Sequence, residues 1–596
     1  MFRSLPILSP LVHYFRVFHR YARGRLLFFI ALAVLGSLLS GLGLTMMIPL
    51  LEYDSSDPVE RSGLVRAIYD ALDGIGAGVS LTSVLVTIFV VFLLKGALLF
   101  LQSMVRLRIS THMMRDMRLL LARAYRDMSY TYFTQTTSGY LTNALVTEIN
   151  RALGCFQQYA LLLAGIANVA IFLAYSALLN WRMPAVALAV GLLFIWPARH
   201  LARRVRKLSL GVSDQNAYIQ HFMLQLVEGF KYLKATDRFS VLMDRLLGSV
   251  RRHRAMSLRG QVLAAMPKFL VEPIAVVIVS LCILYIVGVQ GEALITNVVA
   301  VLLLDRSIRF IFQLHAANQN FTNLVGGLVM LEKVREEVAR NREPDAGEAL
   351  DTFRDAIRLE HVTFRYDQGA VLDDVSLVIK RQQTVGIVGE SGAGKTTLFD
   401  VLTGLLVPQN GSVTLDGCDY ARIRKADLRR LFGYVTQEPV LFNDTIRQNI
   451  SLWTEGEGVE ERIQQAARIA YCDEFIRQSE SGYDTAIGDR GIRLSGGQRQ
   501  RLAIAREIFR DPEILFFDEA TSSLDSESEA YIQRSIREMH GQRTLVIIAH
   551  RVATVRTCDE IIVLERGRVV QQGSWDALIR EEGSAFYGMC QLQGLV

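Results

Sequence analysis

Cysteine is scarce and scattered. The chain of 596 residues has six (Cys155, Cys282, Cys418, Cys472, Cys558 and Cys590), and no two stand at a metal-ligand spacing. That excludes a disulfide framework and leaves reduced thiols in membrane or cytosol. No cleavable signal peptide is evident either: the first apolar run starts near Leu26 and is too long for a signal core. Charge is thin, with 21% charged residues against 51% hydrophobic and a net charge of only +6. Much of the basic excess sits beside apolar runs, which points to a membrane surface and away from nucleic acid.

What is present is unevenly placed. Long apolar runs fill the chain up to about residue 322, and the remainder is patterned like a soluble α/β protein, so more than one domain is expected. Residues 1–25 interleave Leu11, Tyr14, Phe15, Val17 and Phe18 with Arg16, His19, Arg20, Arg23 and Arg25. They read as an amphipathic elbow on the inner membrane face, the plain alternative being a frayed terminus. Six spans follow, at about 26–51, 81–105, 158–179, 183–196, 262–289 and 294–314. Positive charge clusters before the first span and after the second and fourth. Both termini and the loops 106–157 and 197–261 are therefore expected in the cytoplasm. From Leu81 to Met128 the single helix breaker is Gly96, which predicts a rod of roughly 70 Å. Ser129–Thr134 and Ser213–Asn216 are cap-rich and are expected to form the tips of the two loops. The helical period of Leu324, Leu328, Leu331 and Val334 runs out before Pro344. The expected domains are thus an elbow (1–25), a transmembrane domain (26–322), a linker (323–344) and a second domain (345–596).

That second domain carries the chemistry. Gly389-Glu390-Ser391-Gly392-Ala393-Gly394-Lys395-Thr396 fits the phosphate-loop pattern GxxxxGK[ST] at every fixed position. An apolar strand-like run precedes it and a helix-like run from Thr397 to Leu402 follows, which argues against a chance glycine-rich turn. In such a loop backbone N–H groups turn toward a polyphosphate, the lysine reaches the β- and γ-phosphates, and the hydroxyl of Thr396 ligates Mg²⁺. Ile514–Glu519 is an apolar strand ending in two carboxylates. Asp518 suits Mg²⁺ and Glu519 suits a general base acting on water. Tyr366 is placed to stack on a nucleobase, although a lone strand tyrosine is more often packing.

Leu494-Ser495-Gly496-Gly497-Gln498 resembles the signature of the ATP-binding-cassette (ABC) ATPases. The resemblance makes Tyr366 the adenine-stacking aromatic and Gln437 the residue sensing Mg²⁺ and the attacking water. It places Asp525 in the loop that crosses a dimer and makes His550 the γ-phosphate switch. Thr485–Gly491 resembles the loop that touches the membrane domain in exporters, with Asp489 where glutamate is usual. The whole chain resembles a type IV exporter half-transporter: an all-α polytopic membrane domain with six transmembrane helices, fused to an α/β P-loop NTPase domain. That implies ATP and Mg²⁺ as cofactors and a multi-pass protein of the bacterial inner membrane with a cytoplasmic nucleotide-binding domain. It also implies a homodimer, with Ser495 of one copy facing the nucleotide held by the other.

Intramembrane charge bears on the cargo. Lys95, Lys268, Glu272, Arg306 and Arg309 fall in expected spans. They form either a cavity for an anionic head group or internal pairs, Lys268 with Glu272 and Asp305 with Arg309. Gly41-Leu42-Gly43-Leu44 through Pro49, Pro267-Lys268 with Glu272, and Arg306 locally resemble flippases of lipid-linked oligosaccharides. The expectation is ATP-driven export or flipping of an amphipathic, anionic, lipid-linked substrate. The rivals are a peptide or multidrug exporter and a membrane-anchored ATPase acting as channel or regulator.

Overall fold

A computed structural model describes residues 8–48, 70, 80–179, 181–288, 294–345, 347–366, 369–520 and 524–596. The chain divides into two compact units: Met1–Met128 with Tyr132–Arg342, and Ser129–Thr131 with Glu343–Val596.

The first unit is helical. Its long elements are α1 (Leu8–Ala22), α2 (Gly24–Thr45), α3 (Leu81–Arg126), α4 (Ile149–Leu179), α5 (Arg182–Glu228), α6 (Phe239–Gly288) and α7 (Leu294–Arg340). The expected rod is present: α3 runs 46 residues, about 70 Å at 1.5 Å per residue. It starts where a capping box allows, with Ser80 Oγ accepting from the Ser83 N–H at 3.1 Å and Ser83 Oγ accepting from the Ser80 N–H at 3.0 Å. Among the described residues, three helices are long and apolar enough to cross a membrane: Gly24–Thr45, Leu81–Arg126 and Ser138–Leu179. The expected fourth, fifth and sixth spans fall on α5, α6 and α7, whose remaining lengths are rich in charge. The connections 49–69, 71–79 and 289–293 lie outside the described residues.

The apolar face of α1 packs inward. Phe18 is fully buried, with its ring 5.4 Å from Phe156 and 5.1 Å from Tyr159, and Tyr14 meets Phe321 edge-on at 4.9 Å. The stretch 323–340 is helical throughout and packs in the same core through Val325, Leu328, Leu331, Val334 and Val338.

One tip is corrected. Ser213–Asn216 lies inside α5, and the chain turns only at Gly229 and around Thr236–Arg238. The polar residues there serve a contact between helices. Arg151 of α4 donates to Ser209 O at 3.1 Å and Ser209 Oγ at 3.0 Å, and also to Ser213 Oγ. It pairs with the fully buried Glu148 at 3.2 Å. A Cβ at Gly326 would stand 2.7 Å from Ser209 Oγ, and one at Gly327 would stand 2.6 Å from Arg151 Cβ. Two glycines on α7 are what let the three helices close around this pair. The other expected tip does break the helix: α3 stops at Arg126, and short helices follow at Tyr130–Gln135 and Ser138–Asn143.

The second unit is α/β. Strands β1 (Ala356–Tyr366), β2 (Gly369–Lys380), β4 (Asn410–Leu415) and β5 (Cys418–Asp419) form an antiparallel sheet in the order β2-β1-β4-β5. The second sheet takes β3 (Thr384–Gly389), β6 (Phe432–Val435), β7 (Ile514–Asp518), β8 (Thr544–Ile548), β9 (Glu560–Glu565) and β10 (Arg568–Gly573). Its order is β10-β9-β3-β8-β7-β6, parallel except for β10. β8 is buried at every position and β3 at all but Gly389, as expected of parallel strands covered on both faces. Helices α8 (Lys395–Leu402), α9 (Gly496–Phe509) and α10 (Ser526–Met539) carry the motifs.

Candidate active site

Four neighbouring strands, β3-β8-β7-β6, end together, and each delivers one part of the site. β3 runs into the phosphate loop and α8. β7 ends at Asp518, with Glu519 next; His550 follows β8 and Gln437 follows β6. Residues far apart in sequence thus meet at the carboxyl edge of one parallel sheet, where open α/β sheets place ligands.

The loop needs its glycines. A Cβ on Gly389 would lie 2.2 Å from Leu564 O, and Gly394 adopts φ +101° immediately before α8. Lys395 opens that helix and is almost fully buried. Its Nζ donates to the carbonyls of Gly389 at 2.8 Å and Glu390 at 3.0 Å. Burial pushes its pKa down, opposed by the charges of Glu519 and Asp518. Glu390, Ser391, Gly392 and Thr396 are exposed, whereas Ala393 and Thr397 are buried.

Glu519 is largely buried and is held from two sides. Gln437 Nε2 donates to one carboxylate oxygen at 2.8 Å, and His550 Nε2 lies 2.9 Å from the other. Its backbone takes φ +48° while its N–H bonds to Ile548 O at 3.1 Å, so the chain turns sharply out of β7. A non-glycine residue in that conformation carries strain, a frequent feature of functional sites. Asp518 is raised to about 6, first by burial and then by the neighbouring Glu519, with Lys395 pulling the other way.

Asp400 was not singled out from the sequence. It lies on α8, is buried, and is raised to about 6 by burial and by Asp518. The signal was a lone acid within the apolar run Thr397–Leu402.

The signature stretch is outside this cluster. Ser495 is exposed and caps α9, accepting from the Gln498 N–H at 3.2 Å while Gln498 Oε1 accepts from the Ser495 N–H at 2.9 Å. Gly496 and Gly497 form the first turn, and a Cβ on Gly497 would stand 2.0 Å from Ser528 Oγ. Asp525 caps α10 through the Ser528 N–H at 2.7 Å, and that bond holds its carboxyl below the usual range. Ser522 and Ser523 lie outside the described residues. Tyr366 is exposed at the end of β1, edge-on to Phe364 at 5.0 Å. Asp489 is exposed in a single 3₁₀ turn.

Comparison with known proteins fits this geometry. The pattern described as ABC transporter transmembrane region matches residues 26–305, and that described as ABC transporter matches residues 372–522. The heterocyst differentiation ATP-binding protein HepA of Nostoc sp. is 35% identical over 463 residues, covering 76% of this chain and 74% of that protein. The chain belongs to the ABC transporter family. It is an ATP-hydrolysing transporter with an integral membrane domain, and its cassette binds ATP. An ATP-dependent lipid A-core flippase of Burkholderia pseudomallei is 31% identical, covering 80% of each chain. One of Ralstonia nicotianae is 32% identical, covering 81% of this chain and 83% of its own. The structure of a bacterial Atm1-family ABC exporter with ATP bound matches the fold at a TM-score of 0.80 and 24% identity, covering 96% of this chain and 98% of that one.

In the membrane domain of this ABC transporter the described members of the expected substrate set differ in their surroundings. Lys95 is half-buried over the Phe92 ring at 5.2 Å, and the exposed Arg306 lies within its electrostatic reach. Arg309 is paired along its own helix with Asp305 at 2.8 Å. The side chains of Lys268 and Glu272 lie outside the described residues. Gly41 and Gly43 of α2 meet aromatic rings: a Cβ there would stand 2.3 Å from the Tyr175 ring and 2.9 Å from that of Phe92. Both glycines are accounted for by packing.

Proposed function

We propose that this transporter works as a homodimer in the bacterial inner membrane, with its cassette in the cytoplasm, and moves an anionic, amphipathic, lipid-linked substrate. The observation carrying the ATPase half is the Glu519 carboxylate held between Gln437 and His550 beside the buried Lys395.

In this reading Lys395 exchanges its two backbone carbonyls for the β- and γ-phosphates, and the N–H groups of residues 390–397 cradle the phosphates. Glu519 takes the proton of the attacking water, Gln437 orients that water, and His550 contacts the γ-phosphate. Tyr366 stacks on the adenine. Thr396, Gln437 and Asp518 form a hard-oxygen donor set suited to Mg²⁺, and the two crowded carboxylates Asp518 and Glu519 fit a neighbouring cation. Mg²⁺ would neutralise charge on the phosphate oxygens. Ser495, Gly496, Gly497, Gln498 and Asp525 stand apart from this set. The exposed Ser495 and Gly496 at the start of α9 suit the nucleotide of a second copy, which is what supports the homodimer. Residues 345–596 are the nucleotide-binding domain, and the stretch 323–340, read from the sequence as a linker, goes with the membrane domain whose core it packs in.

The substrate reading rests on the intramembrane cations Lys95 and Arg306 and on flippase relatives whose names specify lipid A-core. ATPase stimulation in lipid nanodiscs by lipid A-core, by polyprenyl-pyrophosphate glycans and by peptides tests it. A lipid-linked anion should stimulate, and Lys95→Gln with Arg306→Gln should abolish that response while sparing basal turnover. Stimulation by peptides alone would establish the peptide exporter instead.

A further inference from the structure

Four cations outside the nucleotide site and outside the proposed cavity line up at one level of the membrane domain. Leu208 Cβ of α5 lies 3.9 Å from the Cβ position of Gly260 on α6, and Met256 Sδ lies 3.2 Å from that of Gly211. These contacts fix an antiparallel register that sets Arg203, Arg204 and Lys207 level with residues near 261–265 of α6. With Arg259 they fall within a band about 9 Å deep. All four are exposed. The band is comparable with the roughly 5–8 Å of head-group layer on each side of a bilayer.

Among the described residues the facing stretches of these helices supply no acid. Residues 182–213 of α5, 245–271 of α6 and 306–331 of α7 contain neither Asp nor Glu, and α1 contains none. At this level α7 offers Asn323, whose Oδ1 is 3.2 Å from the Gly260 Cβ position. Glu148, which reaches α5 at Ser213, is committed to Arg151. Among the described residues no ion pair includes any of the four. Beyond the band, α6 carries an exposed apolar stripe, in a stretch whose charged residues are Lys268 and Glu272: Met266 is 50% and Phe269 78% accessible, and Val276, Val277, Leu281 and Leu284 continue it. Cations stacked above an exposed apolar face match the two parts of a phospholipid.

We propose that Arg203, Arg204, Lys207 and Arg259 form a binding belt for anionic phospholipid head groups of the cytoplasmic leaflet, with acyl chains along Met266 and Phe269. Surface cations of this kind each strengthen binding to an anionic membrane by about fivefold. The belt is distinct from the transported substrate and needs neither ATP nor transport.

The test uses the full-length protein in nanodiscs and mild detergent. Native mass spectrometry would count retained phosphatidylglycerol, and melting would be followed in phosphatidylglycerol against phosphatidylcholine. Wild type should retain phosphatidylglycerol and melt higher in it, with the gain shrinking as salt rises. The Arg203→Gln, Arg204→Gln, Lys207→Gln, Arg259→Gln variant should bind it at least tenfold more weakly. Replacing the three arginines by Lys should preserve binding, and this arm together with the salt titration decides the matter if the neutral variant misfolds. Equal retention by the neutral variant would overturn the proposal and leave the charges to topology alone. So would an equal effect of inorganic pyrophosphate, which would make the ligand a soluble phosphate. Loss of the dimer on substitution, with lipid retention unchanged, would overturn it too by assigning the face to a second copy.

Discussion

Each unit of this transporter buries a cation, and the two are held differently. Lys395 in the cassette rests on two backbone carbonyls, with the carboxylates of Asp518 and Glu519 nearby. Arg151 in the membrane domain is tied to Glu148, to Ser209 through both backbone and side chain, to Ser213, and to the carbonyl of Asn323 at 3.4 Å. A guanidinium with that many fixed acceptors is complete and serves as a joint between helices. A lysine on carbonyls is easily redirected, because a phosphate offers it stronger, charged acceptors. Of these two charges, the one at the binding site is the one whose partners are exchangeable.

The sharpest test of the contrast lies on the cassette side. Glu519→Gln should lower ATP hydrolysis by about 10²–10⁴-fold while ATP still binds, because the base is lost and the phosphate cradle is kept. Turnover at the wild-type rate would remove Glu519 from its role. Next comes stability. Arg151→Ala leaves Glu148 buried without its partner and should cost about 3–5 kcal/mol in denaturant or thermal unfolding. Lys395→Ala should leave unfolding nearly unchanged yet abolish the stabilisation by added ATP. Equal destabilisation by both would erase the distinction between joint and site.

The smallest expected effect is in pH. Asp518 and Asp400 have folded-state pKa values raised to about 6, above the ordinary carboxylate value. Between about pH 4 and 6 the folded chain then binds more protons than the unfolded one, so the contribution of these groups is full at low pH and is lost as pH rises through about 6. The nucleotide-free protein should melt lower at pH 7 than at pH 5.5, and Asp400→Asn should flatten that slope. A melting temperature that climbs across this range would contradict the burial of the pair.

The cassette was more legible than the membrane domain for the same reason. A phosphate loop requires glycine at Gly394 for its positive φ and at Gly389 for contact with Leu564, so the residues announce the geometry. A helix bundle makes weaker demands. Ser213–Asn216 looked like a turn because serine, aspartate and asparagine favour caps, yet Ser213 is spent on Arg151 and the helix runs on. Gly41 and Gly43 entered the sequence reading only through a local resemblance to flippases, and their packing against the rings of Tyr175 and Phe92 is visible only in the fold. Asp400 went unread because an acid in an apolar helix gains meaning only when a second acid, 118 positions later at Asp518, comes within electrostatic reach of it.

By itself the sequence determined the class of chemistry, the order of the two domains and the existence of long apolar helices, because each rests on local residue preferences along a continuous stretch. Only the tertiary structure decided which polar residues meet. The strand order β3-β8-β7-β6 is what sets Gln437 and His550 on Glu519, and the crossing of α4, α5 and α7 is what occupies Arg151. Such pairings are fixed by the packing of segments far apart in the chain, and no local spacing encodes them.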